Sequence, residues 1–234
     1  MTIPQNQAWD SRAGVMRALI TAAFSKPINA LEVGVWFGIG STNIWLHALH
    51  DKSKLVLIDS WRPYASAADL KDDGWDYKAM DDLSSDAFLS AYLNVKRFET
   101  QRNGKDVNVS LIRGSSKDFL PLLSENSFDF IYVDGDHKYE SVKSDLQQAK
   151  RLVNKDFGII CGDDLERIPT TELYELAQKN KDRDFLRHPH NFHPGVLLAV
   201  AEEFSAVNMV NGFWWVVCVD GNFSVNILMA DTFI

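Results

Sequence analysis

The chain is poor in cysteine, in basic charge and in long apolar runs. Its 234 residues include two cysteines, Cys161 and Cys218. Both sit in strand-like apolar runs without partners at metal-ligand spacing, so they read as buried thiols rather than a thiolate metal site or a disulfide. Lys plus Arg number 24 against 32 Asp plus Glu, a formal charge of −8. That deficit argues against a nucleic-acid backbone or an anionic membrane surface as partner, since both require a basic footprint. Nowhere do about 18 apolar residues run uninterrupted. The opening MTIPQNQAWDSRAGVMRALI does not combine a basic region, an apolar stretch and a small-residue cleavage site, so a cytoplasmic location is the expectation. Internal repeats and low-complexity tracts are also missing. The chain is 46% apolar, enough for the core of one large α/β domain spanning 1–234.

Strand and helix patterns alternate along it. Residues 8 to 24 place Trp9, Val15, Met16, Leu19, Ile20 and Ala23 at the three-and-four spacing of an amphipathic helix. Apolar runs at 28–33, 54–58, 107–112, 128–133 and 157–161 predict strands, separated by helical patterns at 41–50, 86–102, 116–123 and 139–153. Ser41 or Thr42 can cap the second helix. A helix near 170–180, the loop RHPHNFHPG and a helix over 196–204 follow. GFWWVVCV and FSVNILM then flank Asp220, Gly221 and Asn222, a hairpin signal. The expected fold is α/β: a Rossmann-like, doubly wound, mostly parallel sheet of seven strands with a terminal antiparallel hairpin. Residues 61–84 are polar, aromatic and poorly periodic, and read as a lid or acceptor segment. The 164–194 stretch reads as a second loop at the site.

Ligands of such sheets bind beyond the carboxyl ends of the strands. Asp59, Asp134, Asp136, Asp163 and Asp164 all stand at those ends. The first strand runs into LEVGVWFGIGST, where Trp36 occupies the position at which a dinucleotide fingerprint needs its second glycine. Glu32 suits a cation better than a diphosphate. Asp59, 25 residues beyond Gly34, can accept both hydroxyls of a ribose. An adenosine without phosphates and with a positive group near the glycines meets these conditions, and S-adenosylmethionine is such a molecule. The plainer alternative is a tight strand-to-helix turn with no ligand. Three carboxylates converging on a rim repel one another unless a cation or a shared proton compensates. Their hard oxygen donors favour magnesium or a similar divalent ion over zinc.

The acid-x-Gly-x-x-x-Gly spacing of Glu32, Gly34 and Gly38 resembles the first motif of class I methyltransferases. RGSSKDFLPLL at 113–123 resembles the adenine-side segment of catechol-type O-methyltransferases. FDFIYVDGDHKYESVKSDL, GIICGDDL and HPGVLLAVAEEF resemble the macrocin- and aminocoumarin-type sugar O-methyltransferases, within a likeness covering about residues 30–60 and 107–205. The resemblance implies an S-adenosylmethionine-dependent O-methyltransferase acting on a hydroxyl of a small molecule or glycan, with homo-oligomers left open. It implies a cofactor site of Glu32, Gly34, Trp36, Gly38, Ser41, Asp59, Ser115, Ser116 and Asp134. Asp134, Asp163 and Asp164 would hold the divalent metal.

For the base, Asp136 comes first, then His137 and His193. Each has a bland counterpart. Asp134 or Asp136 can cap the helix near Tyr139, Asp163 and Asp164 can begin a turn, and His188, His190 and His193 can be structural or exposed. Trp61 and Trp75 can stack on an acceptor, whereas Trp214 and Trp215 suit a core; Lys138, Lys143 and Lys150 suit a solvated helix face. NKDFG stands where these families usually carry Pro-Gly-Gly, and 61–105 does not match the catechol enzymes in length. Two alternatives remain: a cephalosporin-hydroxylase-like relative on the same scaffold, and a non-catalytic subunit that binds an adenosyl ligand.

Overall fold

The computed structural model describes residues 10–62, 77–101, 105–185 and 192–225, except the side chains of 10, 11 and 77–82. Five apolar runs form a parallel group: β1 (Asn29–Val33), β2 (Lys54–Asp59), β3 (Asn108–Arg113), β4 (Phe130–Val133) and β5 (Phe157–Leu165). Three antiparallel strands complete the sheet: β6 (Asn208–Val210), β7 (Gly212–Val219) and β8 (Asn222–Ser224). The order is β3-β2-β1-β4-β5-β7-β6, with β8 also on β7. The sheet thus has eight strands where seven are expected. The addition is β6, three half-buried residues too short to leave a periodic pattern. The expected hairpin is present, and Asp220 (φ +49°) and Gly221 (φ +76°) give its turn the two left-handed residues of a primed hairpin.

Side-chain alternation explains the layering, because successive strand residues point to opposite faces. Ala30, Leu55, Leu57, Phe130, Tyr132, Ile159, Cys161, Phe213 and Trp215 enter one core. That core is covered by α1 (Asp10–Ala23), α2 (Ser41–Ala48) and α3 (Tyr77–Thr100). Leu31, Val33, Ile58, Ile131, Val133, Ile160, Trp214 and Val216 enter the other, under α5 (Tyr139–Leu152), α6 (Thr171–Lys179) and α7 (Pro194–Glu203). The four-residue α4 (Ser116–Phe119) and a 3-10 turn link β3 to β4. The expected helix starting at 86 begins earlier, at Tyr77, within the stretch read as a lid. Trp9, Trp75, His188, His190, 226–229 and most of that lid lie outside the described residues. Among the described residues, no helix is long and apolar enough to cross a membrane.

Trp61 does not reach an acceptor. It is buried, packs edge-on against Phe88 and donates from Nε1 to the Trp36 carbonyl (2.7 Å). On the helix face expected to be solvated, Lys143 and Lys150 pair with Glu202 and Glu203 of α7 at 2.7 and 3.0 Å. Cys161 and Cys218 are free and buried, and Trp214 and Trp215 fill the core, as their settings suggest.

The strand order reverses between β1 and β4, so a crevice opens beyond their carboxyl ends. Gly34 leaves β1 at φ +88°, and a Cβ there would lie 1.8 Å from the Asp134 carbonyl oxygen. Neither backbone can yield, since the Gly34 N–H donates to Ile58 O and the Asp134 N–H to Val33 O. Gly34→Ala is therefore expected to cost about 3 kcal/mol or more. A urea unfolding curve measures it, and a loss under about 1 kcal/mol would mean that the two strand ends approach less closely.

Candidate functional site

The glycine turn after β1 is organised by Asp59, the last residue of β2. Its Oδ2 accepts the Val35 and Trp36 N–H groups, both at 2.8 Å, and its Oδ1 accepts the Trp61 N–H at 2.6 Å. These bonds hold Trp36 at φ +49°. From α3, Ser90 Oγ donates to the Phe37 carbonyl (3.1 Å) and Asn94 Nδ2 to the Gly38 carbonyl (2.6 Å). The turn is therefore pinned from two sides. A carboxylate has about four lone-pair sites, so Asp59 retains capacity for a hydroxyl donor.

Beneath the turn lies Glu32, fully buried. Ser41 does not cap α2, whose N-cap is Gly40; its hydroxyl donates to Glu32 Oε1 at 2.5 Å. Thr42 lies near the same carboxyl without hydrogen-bond geometry, and Oε2 is buried without a partner. Burial raises the Glu32 carboxyl from its ordinary 4.5 to about 8, against the Ser41 hydroxyl and with help from Asp134 and Asp59. An orphaned buried acceptor behind a glycine turn is the feature a cationic ligand group would satisfy.

The carboxylates after β4 and β5 divide between the two faces of the sheet. On the α1 face, Tyr132 Oη donates to Asp134 Oδ2 at 2.9 Å. The Arg12 guanidinium lies 2.7 and 2.6 Å from Asp163 Oδ1 and Oδ2. Burial and the charge of Asp164 raise Asp134 to about 6, with His137 opposing. Burial and the neighbouring Asp164 and Asp134 also push Asp163 up, and Arg12 pulls it back. We take the Arg12–Asp163 pair as ionised, because a guanidinium does not give up its proton in a protein.

Asp164, at φ +63°, serves the other face. Its Oδ2 lies 2.9 Å from His137 Nε2, and its Oδ1 lies 3.8 Å from His193 Nδ1. His137 Nδ1 meets Asp184 Oδ2 at 2.8 Å, and His193 Nδ1 meets Glu166 Oε1 at 2.7 Å. Burial disfavours charge on His137, but Asp164 and Asp184 outweigh it and raise the imidazole well above its usual range. His193 is raised likewise, burial again being overcome by Asp164 and Glu166. Burial opposes the Asp164 charge too, yet His193 and His137 hold that carboxyl below the usual range.

Among the described residues, the three metal-capable side chains that converge are therefore His137, Asp164 and His193. The expected set of Asp134, Asp163 and Asp164 lines one pocket, with Asp163 engaged by Arg12. Asp136 does not cap α5, whose N-cap is Lys138; its Oδ1 accepts the Lys138 N–H at 3.0 Å in a local turn. It nevertheless lines a pocket with Val133, Asp134, Gly135, His137, Asp163 and Asp164. Ser115 precedes α4, and the Ser116 hydroxyl is drawn to the buried Asp145 of α5, which burial lifts to about 7 against that hydroxyl.

Sequence reasoning passed over Arg12, Asp145, Glu166 and Asp184. A signal existed for Arg12, which shares the helix face of Val15, Met16 and Leu19 and so places a charge where the periodicity calls for core. Asp145 carries the same signal on the α5 face of Val142, Ala149 and Leu152; Glu166 and Asp184 stand in irregular stretches that a sequence pattern does not distinguish.

The family model described as a methyltransferase domain matches residues 31–165. No curated protein matches the chain. Among solved structures, the chain is similar to a putative O-methyltransferase from Klebsiella pneumoniae, with 16% identity, TM-score 0.57 and coverage of 93% of this chain and 84% of that one. It is also similar to the O-methyltransferase TomG from Streptomyces achromogenes, involved in tomaymycin synthesis and solved with SAM: 14% identity, TM-score 0.54, coverage 93% and 83%. An O-methyltransferase from Bacillus cereus in complex with SAH gives 15% identity, TM-score 0.51, and coverage of 92% and 84%. At these identities the likeness is one of fold.

The buried Glu32 makes stability depend on pH. Its folded value of about 8 lies above the ordinary 4.5, so its contribution is full below pH 4.5 and is lost as pH rises toward 8. The loss between pH 4.5 and 7 is on the order of 3 kcal/mol. Glu32→Gln is expected to flatten the stability-against-pH curve over that window, measured by urea unfolding. An unchanged slope would mean that Glu32 is charged in the folded chain.

Proposed function

The chain belongs to the methyltransferase-domain family, residues 31–165 carrying the match, and we propose that it methylates a hydroxyl of a small molecule or sugar from S-adenosylmethionine. One observation carries the cofactor assignment: a fully buried Glu32 carboxyl with an orphaned oxygen, behind a glycine turn at the point where the strand order reverses. The residues fit the group. The orphaned Oε2 of Glu32 suits its cationic amino end, Gly34 lets the turn lie against the Asp134 backbone, and Asp59, with three of about four lone-pair sites used, keeps room for one ribose hydroxyl.

When bound, S-adenosylmethionine supplies an electrophilic methyl group and departs as a thioether. The protein has to align the acceptor oxygen with that methyl and take its proton. Asp136 is the base in this reading. It lines the pocket, and the turn through the Lys138 N–H holds it in place. His137 and His193 are poorer candidates, because His137 is engaged through both ring nitrogens and His193 through Nδ1 with Glu166. The magnesium site implied by the resemblance does not fit the residues as they stand, since the Arg12 guanidinium already neutralises Asp163 at 2.6 Å. No step here is routed through such an ion.

Calorimetry with S-adenosylmethionine tests the cofactor, and mass spectrometry on a hydroxyl panel tests the transfer. Binding and a gain of one CH2 unit are expected; no binding would end the reading. Asp136→Ala is expected to lower kcat by about 10²- to 10⁴-fold while cofactor affinity stays within about threefold.

A further inference from the structure

We propose that His137, Asp164 and His193 form a binding site for a divalent transition-metal ion, with Asp184 and Glu166 as its outer carboxylates. One donor atom from each of the three lies within 4.8 Å of the others. His137 Nε2 and Asp164 Oδ2 are 2.9 Å apart. Two ligands held about 2.1 Å from an ion on adjacent vertices of an octahedron stand about 3 Å apart, so this pair already has the separation of neighbouring ligands.

The second support is independent of that spacing. A ligating imidazole usually donates its other N–H to a carboxylate, which fixes the tautomer and raises the basicity of the coordinating nitrogen. Both histidines have this partner: Asp184 for His137 Nδ1 at 2.8 Å, and Glu166 for His193 Nδ1 at 2.7 Å. An ionised carboxylate only accepts, so the Nδ1 of each histidine donates to its outer carboxylate, and on His137 a metal would take Nε2 in place of the proton which that nitrogen now shares with Asp164.

Charge and packing agree. Asp164, Asp184 and Glu166 bring three negative charges around two imidazoles. Two imidazolium rings would balance two of these, but at a ring separation of 4.5 Å they would repel each other. A divalent ion between neutral rings supplies the same charge without that repulsion. The backbone is also held in place. His193 is 3% exposed and stands at the N-cap position of α7. A Cβ on Gly195 would lie 2.2 Å from the His137 carbonyl oxygen, so the two histidine-bearing segments are pressed together.

Two nitrogens and one oxygen select zinc, cobalt, iron or nickel over magnesium. The donor set therefore differs in chemistry from three carboxylates, of which Asp163 already pairs with Arg12. This site does not depend on the methyl-transfer reading.

Titration of the full chain with Co2+, followed by its visible ligand-field spectrum, tests the site. One equivalent is expected to bind with a nitrogen-ligated spectrum, and a hundredfold excess of Mg2+ is expected not to displace it. His193→Ala and His137→Gln should abolish that spectrum. Asp184→Asn and Glu166→Gln, which keep shape, should weaken Co2+ by about 10- to 100-fold. Asp134→Asn should leave its affinity within about threefold. Circular dichroism on each variant separates lost ligation from lost folding. Absence of the spectrum in the wild type, ready displacement by Mg2+, or folded histidine variants that bind Co2+ normally would overturn the proposal. S-adenosylmethionine affinity read on the same samples keeps the two readings apart: its survival without Co2+ binding removes only the metal site.

Discussion

Charge compensation at the carboxyl edge of the sheet is the constraint that arranges the rest of this molecule. Glu32, Asp134, Asp163 and Asp164 crowd a crevice from which water is largely excluded, and unpaired buried carboxylates are costly. The fold answers from both faces. Arg12 reaches Asp163 from α1, and His137 and His193 reach Asp164 from the loops that lead into α5 and α7. Glu32, which receives no cation, stays protonated to about pH 8. Adjacent acids can be served from opposite sides because successive strand residues point to opposite faces, and the left-handed backbone of Asp164 completes the separation. Helix α1 is thus both cover for one core and the source of a counter-charge.

The same economy shapes the glycine turn. An acid at the end of β2 reads in isolation as a ligand-binding group, yet its first task is to gather three backbone N–H groups from Val35, Trp36 and Trp61. Those donors would otherwise be orphaned where the chain leaves the sheet. The turn consequently has its shape before any ligand arrives, which lowers the ordering cost of binding. Trp61 joins the arrangement as a buried brace, its indole bonded to the Trp36 carbonyl, so the first residue of the supposed lid belongs to the wall of the turn.

Much of the fold was legible because the signals were local. Apolar runs such as FDFIYV and GIICG marked strands, Asp220-Gly221 marked the hairpin, and the acids at 59, 134, 163 and 164 fell at strand ends that the α/β pattern brings to one edge. The failures were of two kinds. The strand Asn208–Val210 and the early start of α3 at Tyr77 carry weak periodicity, and tertiary contact decided them. Ser41 and Trp61 carry clear local signals that a stronger distant partner overrode: Glu32 and the Trp36 carbonyl respectively.

The sequence by itself determined where each carboxylate stands, because a strand's pattern and its terminal acid lie within a few residues of each other. It also determined that the glycine turn after β1 lacks a dinucleotide spacing. Only the tertiary structure decided which cation meets which acid. Arg12 and Asp163 are 151 residues apart, and His137 and Asp184 are 47 apart. A charge pair depends on distance in space, which chain spacing does not encode until the sheet and helices have packed. Three similar aspartates could not announce that one would face an arginine and its neighbour two histidines.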